Sequence, residues 1–224
     1  MVDDSALART RAALHAVAEQ VLAAALHRAT GRIGLRVAPG GFGTPEFDDD
    51  GTPTRLRVDG TDLVVERGGT EVRTPLTTVR AAAEAAGVAP GAPAEVYTPA
   101  TPVALDAPLD LDPGAAAFLA SFFATVGTAL HDLSSRHEAD EPAPVQLWPE
   151  HFDLATTIAE VNYGGSPGDE GHPLPYLYVG PWAPAPAGDP FWNEPFGASI
   201  PFVADTTAAA ALAFFETGRG RLHP

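Results

Sequence analysis

The run Leu147-Trp148-Pro149-Glu150-His151-Phe152-Asp153 sets an imidazole between two carboxylates, and no other segment of the chain is as well equipped for chemistry. On an extended strand alternate side chains share a face, so His151 and Asp153 project together while Glu150 and Phe152 project the other way. A histidine beside a carboxylate is either a general base with its orienting partner or two ligands of a histidine/carboxylate metal site. His151, Asp153 and the adjacent Glu150 are therefore the catalytic candidates. A third metal ligand would have to come from Asp169, Glu170 or His172, in an acidic loop able to fold back. The pattern specifies neither a metal nor a cofactor. The competing reading is a partly buried His151 bonded to Asp153 for support alone.

Aromatic rings supply the second signal. Ten of the 18 lie between Trp148 and Phe202, most beside proline or glycine. Tyrosine and tryptophan in such loops line concave pockets or partner surfaces, where the ring buries area and the polar tip bonds a ligand. Trp148, Tyr163, Trp182 and Trp192, with His172, are the ligand-binding candidates, whereas Tyr176 and Tyr178 alternate and read as core.

Three motif matches fail on physical grounds. Gly164-Gly165-Ser166-Pro167-Gly168 has the G-x-S-x-G form of a hydrolase elbow, but the oxyanion needs the N–H of the residue after the serine, and Pro167 has none. Gly40-Gly41-Phe42-Gly43 fits no dinucleotide fingerprint, because the third glycine position is Glu46. Phe47-Asp48-Asp49-Asp50-Gly51 lacks the alternation and closing glutamate of a calcium loop and reads as a solvated turn.

Composition narrows the chemistry further. All 13 basic residues are arginine, which excludes Schiff-base lysine chemistry and a P-loop lysine. The absence of cysteine excludes thiol nucleophiles, disulfides and thiolate metal sites. Residues 1–80 hold 10 Arg against 11 acids, while residues 81–218 hold Arg136 against 18 acids. A net of −17 in that stretch repels polyphosphate, so no nucleic-acid partner is expected. The start MVDDSALARTRAALHAV is no secretory signal, and no uncharged run approaches a membrane span, so a soluble cytoplasmic protein without membrane contact is expected. Arginine-only, Ala/Gly/Pro-rich usage looks like a GC-rich bacterial genome.

The elements that must position these residues follow from periodicity. Asp4 or Ser5 caps a helix through Leu7, Leu14, Val17, Val21 and Ala25 to Gly31, and Arg32 to Val37 reads as a strand before a glycine loop. Asp59-Gly60 marks a hairpin pairing Leu56 with Leu63 and Arg57 with Asp62. Gly68-Gly69 marks another turn, whose simplest register opposes Glu66 to Glu71, so a bulge or longer loop is expected. Thr77 to Ala86 reads as a helix stopped by Gly87, and the proline-rich residues 88–112 as a connector between a 1–87 half and a 113–224 half. Asp112-Pro113 opens a helix with the stripe Leu119, Phe122, Phe123, Val126, Leu130 and Leu133. Val145 to Ile158, Tyr176 to Val179 and Ser199 to Val203 read as strands, with a last helix from Asp205 or Thr206 to Gly218. The fold class is α+β, antiparallel meanders packed on helices. The order helix, strands, helix occurs twice, and Ala24-Ala25-Leu26-His27 parallels Thr128-Ala129-Leu130-His131, which raises the reading of two similar halves.

The segments RIGLRVAPGGFGTPEF, PAEVYTPATP, VQLWPEHFDLA, VNYGGSPGD, PYLYVGPW and FWNEPFGAS resemble an actinobacterial hypothetical-protein family over nearly the whole chain. Phe152-Asp153-Leu154-Ala155 is also distantly similar to a segment of a broader bacterial domain of unknown function, whose equivalent of His151 is not histidine. That resemblance implies one coherent bacterial fold and makes Asp153 the shared element. Two functional expectations result. One is a small-molecule-binding protein or enzyme with its site around 148–153 and the 163–194 loops. The other is a non-catalytic interaction module that offers an acidic, aromatic-rimmed surface to a basic or apolar protein partner.

Overall fold

The computed structural model describes residues 3–101, 104–169 and 171–222. It is an α+β protein with two antiparallel sheets, packed as two compact units. The first comprises Met1–Ser121 with Leu147–Phe152, the second Phe122–Gln146 with Asp153–Pro224. The connector 88–112 thus belongs to the first unit.

The first unit opens with α1 (Asp4–Val17), a π-helical segment (Ala18–Ala23) and α2 (Ala24–Thr30), closed by Gly31 at φ +72°. The cap is Asp3, whose carboxylate accepts from Ala6 N, so the helix starts one residue before the expected caps. Leu7, Leu14, Val17, Val21 and Ala25 are buried, as their spacing requires. Then come β1 (Arg36–Ala38), β2 (Gly41–Gly43), β3 (Phe47–Asp49), β4 (Thr52–Asp59), β5 (Asp62–Arg67) and β6 (Thr70–Pro75), in the sheet order β1-β2-β4-β5-β6 with β3 on β4. The glycine run is a strand rather than a loop. A Cβ on Gly43 would meet the Leu56 carbonyl at 2.5 Å, so only glycine lets the backbones approach that closely.

Two registers differ from expectation, and charge explains one of them. Gly60-Thr61 forms the loop, with Asp59 opposite Asp62 and Val58 opposite Leu63, because Gly60 at φ +64° supplies the first central position of a primed turn. Glu66 does face Glu71, without a bulge. Arg57 binds Glu66 at 3.3 Å, Glu71 at 3.3 Å and Asp59 at 3.0 Å, and Arg73 binds Asp59 at 2.5 Å and Asp62 at 3.2 Å, so arginines separate each pair of like charges. α3 (Val79–Ala86) follows, capped by the Thr78 hydroxyl and ended by Gly87 at φ +69°.

α4 (Pro113–Arg136) is capped by Asp112, which accepts from Ala115 N at 2.8 Å, and its apolar stripe is buried. Residues 113–130 carry no formal charge, which corrects the expectation that no such run exists. By length and composition α4 passes for a membrane span, but half of that window is buried within the protein.

After a short 3₁₀ turn (Glu138–Asp140), β7 (Gln146–Trp148) returns to the first unit, where Leu147 bridges Leu35. The strand expected over 145–158 is broken here. Trp148 to Phe152 closes a helical turn, Phe152 N donating to the Trp148 carbonyl at 2.8 Å, and Phe152 sits in the left-handed region at φ +55°. Its ring, 1% exposed, stacks on His15 at 5.0 Å and meets Phe42 edge-on at 5.2 Å, contacts that hold the strained backbone in place.

In the second unit β8 (Asp153–Ile158), β9 (Val161–Ser166), β10 (Tyr176–Pro181) and β11 (Ala198–Pro201) form a meander in sequence order. α5 (Ala208–Leu222) begins after Thr207, whose hydroxyl accepts from Ala210 N. It runs past Gly218, the expected stop. A Cβ there would lie 2.9 Å from Val179, so this glycine serves close helix–sheet packing.

Candidate functional site

The second unit's sheet has two unlike faces. On one, Leu154, Tyr163, Leu177 and Val179 are buried. A Cβ on Gly165 would meet Phe122 and Val126 of α4 at 3.0 to 3.2 Å, so this is the helix-packed face. On the other, Tyr178 pairs with Gly164 and Ser199, and Tyr176 with Ser166, opposite which Asp153 falls when the β8–β9 register is continued. Period-two alternation therefore places Asp153, Ser166, Tyr176, Tyr178 and Ser199 on one polar face. Polar does not mean exposed: Asp153 is 9% and Ser166 4% accessible.

The glycine pair makes this geometry possible. A Cβ on Gly164 would lie 2.5 Å from the Tyr178 Oη, so glycine lets the Tyr178 ring lie across β9. Its hydroxyl then donates to Asp153 Oδ2. Burial, and next the Asp153 charge, push the Tyr178 phenol well above its ordinary value, so it remains a proton-bearing donor. Tyr176 donates to Asp169 Oδ2 at 2.7 Å, and burial with that carboxylate raises its phenol too. Burial works to raise the Asp169 carboxyl, but the Tyr176 hydroxyl and the N–H groups of His172 and Gly171 outweigh it and hold it below the usual range.

Above Tyr176 sits a histidine–carboxylate pair. His172 Nε2 meets Glu194 Oε1 at 3.0 Å, and its ring lies 4.8 Å from the Tyr176 ring and 6.0 Å from Phe196. Ser199 Oγ donates to the same Glu194 oxygen at 2.8 Å, so Ser199 and then His172 hold the Glu194 carboxyl low. Ser199 bonds the carboxylate and not the imidazole, which is no nucleophile–base arrangement. The His172 Nε2 is thus committed to Glu194.

The residues singled out from sequence divide between the two units. Trp148, Glu150 and His151 belong to the first, and Asp153 to the second. His151 is exposed on the 149–152 turn and does not share a strand face with Asp153, because the left-handed Phe152 breaks the alternation. Asp153 and His172 both join the network of the polar face. Tyr163 lies on the helix-packed face, fully buried, 6.1 Å from Phe215 and beside Arg219. Trp182 is 65% exposed, its Nε1 donating to Asn162 Oδ1, whereas Trp192 packs edge-on against Phe191 at 4.9 Å. Glu170 lies outside the described residues. Among the described residues no group of three or more His, Asp or Glu is placed to hold a metal ion.

Tyr176, Tyr178, Glu194 and Ser199 were not among the candidates. The signal for the two tyrosines was their own alternation set against a Gly-Gly pair, which marks a ring laid across a neighbouring strand as readily as a core position. Glu194 and Ser199 carry no local signal, since a loop brings them to His172. No family model, curated protein or solved structure matches the chain. The resemblance of its segments therefore stands on those residues alone.

Proposed function

We propose that this chain is a small-molecule-binding protein whose site is the tyrosine–carboxylate face of the second unit's sheet, with His172 and Glu194 as its acid–base pair. The observation that carries the reading is the His172 ring, oriented by Glu194 at 3.0 Å and set against Tyr176 at 4.8 Å, over a face whose phenols are tied to Asp153 and Asp169. A planar ligand stacks on such rings, and donor groups on it suit the surrounding carboxylates. If the site turns over a substrate, His172 is its base and Glu194 the orienting partner.

The test is an amide NMR titration of the whole chain with benzamidine and nicotinamide. Shifts concentrated at Gly164, His172, Tyr176 and Glu194, and lost in His172→Ala with unchanged circular dichroism, support the site. Shifts confined to other regions, or persisting in that variant, overturn it. The alternative, a non-catalytic interaction surface, draws on Trp182, which is 65% exposed beside Asn162. Free acrylamide quenching of Trp182 that a basic peptide relieves, with no small-molecule shifts, favours that reading.

A further inference from the structure

The π-helical segment Ala18–Ala23 interrupts an otherwise regular helix, and such turns concentrate at functional sites. Here it sets two polar residues side by side in full burial, Glu19 at 0% and Gln20 at 1% exposure. Both meet the 91–101 stretch of the same unit. Glu19 accepts from Ala100 N at 3.0 Å, Thr101 N at 2.8 Å and Thr101 Oγ at 2.5 Å. Gln20 accepts Gly91 N on its carbonyl and Ala92 N on Oε1, each at 3.0 Å. Fixing Oε1 orients the amide, yet among the described residues Gln20 Nε2 has no partner. The same holds for Tyr97 Oη in that stretch and for Glu150 Oε2 in the 149–152 turn. His15 joins the turn to the helix, its Nε2 donating to the Pro149 carbonyl at 2.7 Å and standing 3.9 Å from Glu19 Oε2. Burial, and next the charges of Glu19 and Glu150, raise the Tyr97 phenol above its ordinary value.

Unmatched buried polar atoms from three elements are the complement of a small polar ligand, since interiors otherwise satisfy such groups. We propose that the first unit holds a second binding site here, for a small protonated amine that carries a neighbouring hydroxyl or carbonyl oxygen. The ammonium bonds Glu150 Oε2, in surroundings that Glu19 also makes negative, and the ligand oxygen accepts from Gln20 Nε2. Tyr97 Oη serves either group. A carboxylate ligand is repelled by the two glutamates.

The experiment is isothermal titration and thermal shift on the whole chain with ethanolamine and glycinamide, ethylamine and acetate serving as controls. Expected are one site per chain, binding of ethylamine weaker than that of ethanolamine, and no response to acetate. Glu150→Gln should weaken ethanolamine by about tenfold or more and Tyr97→Phe by about threefold to tenfold, as lost charged and neutral hydrogen bonds do. His172→Ala should leave this binding unchanged, which separates the site from the one in the second unit. No binding of either probe at millimolar concentration overturns the proposal. So does binding that survives Glu150→Gln, or a Tyr97→Phe variant that melts higher and takes up no probe, the signature of polar atoms paired with water only.

Discussion

His15 is held neutral by burial. Glu19 and the Pro149 carbonyl pull its proton affinity up, Arg11 and His151 push it down, and burial prevails, leaving the imidazole below its ordinary value. The unfolded chain then binds the extra proton more readily, so stability is complete above the unfolded value of about 6.5 and declines as pH falls through it. The melting temperature should drop between pH 7 and pH 5, and His15→Gln should flatten that slope in a calorimetric series. The lowered Asp169 and Glu194 carboxyls act in the same direction but at lower pH, nearer the carboxylate range, so the two windows separate. Arg57 offers a second test at this scale. Its side chain is 12% exposed and touches three carboxylates, so Arg57→Leu removes the arginine that Glu66 and Glu71 share and leaves Arg55 on Glu66 alone. Urea denaturation should register a loss of about 1.5–3 kcal/mol, the range for hydrogen bonds to charged groups.

At the level of elements, the turns decided what was legible. Gly31 and Gly87 ended helices where expected, and the α4 stripe was visible in full because its spacing is that of one buried face. The β8–β9 hairpin was invisible. Its two-residue loop is Ala159-Glu160, both at positive φ, a conformation that ordinarily calls for Asn-Gly, so no turn residue announced it. Ala159→Asn with Glu160→Gly should therefore stabilise the protein by about 1 kcal/mol, relieving two left-handed non-glycine residues. Calorimetry would show a melting temperature about 2–4 °C higher. The 148–152 turn was hidden for the same reason, because nothing in Trp-Pro-Glu-His-Phe marks Phe152 as left-handed. Phe152→Ala should cost about 3–5 kcal/mol in urea, as large-to-small core changes do.

For the whole molecule, fold class was readable because it depends on periodicity and order, which composition and spacing carry directly. The candidate site was readable only in part. Asp153 and His172 join its network, but His151 does not share a face with Asp153. What sequence spacing could not supply was the assignment of Leu147–Phe152 to one unit and Asp153 onward to the other.

That six-residue return also bears on how the protein is made. A chain that has been synthesised only to Ser121 lacks the Leu147 partner of Leu35, the Pro149 acceptor of His15 and the Phe152 ring beside Phe42. The first unit therefore stays unfinished on the ribosome while about thirty more residues are added, roughly 2 to 6 s at ordinary elongation rates. Nascent chains arrested with residue 121 emerged should be protease-sensitive throughout, and those arrested with residue 152 emerged should protect the amino-terminal helix. The amino-terminal part of this protein must wait for its middle to be translated.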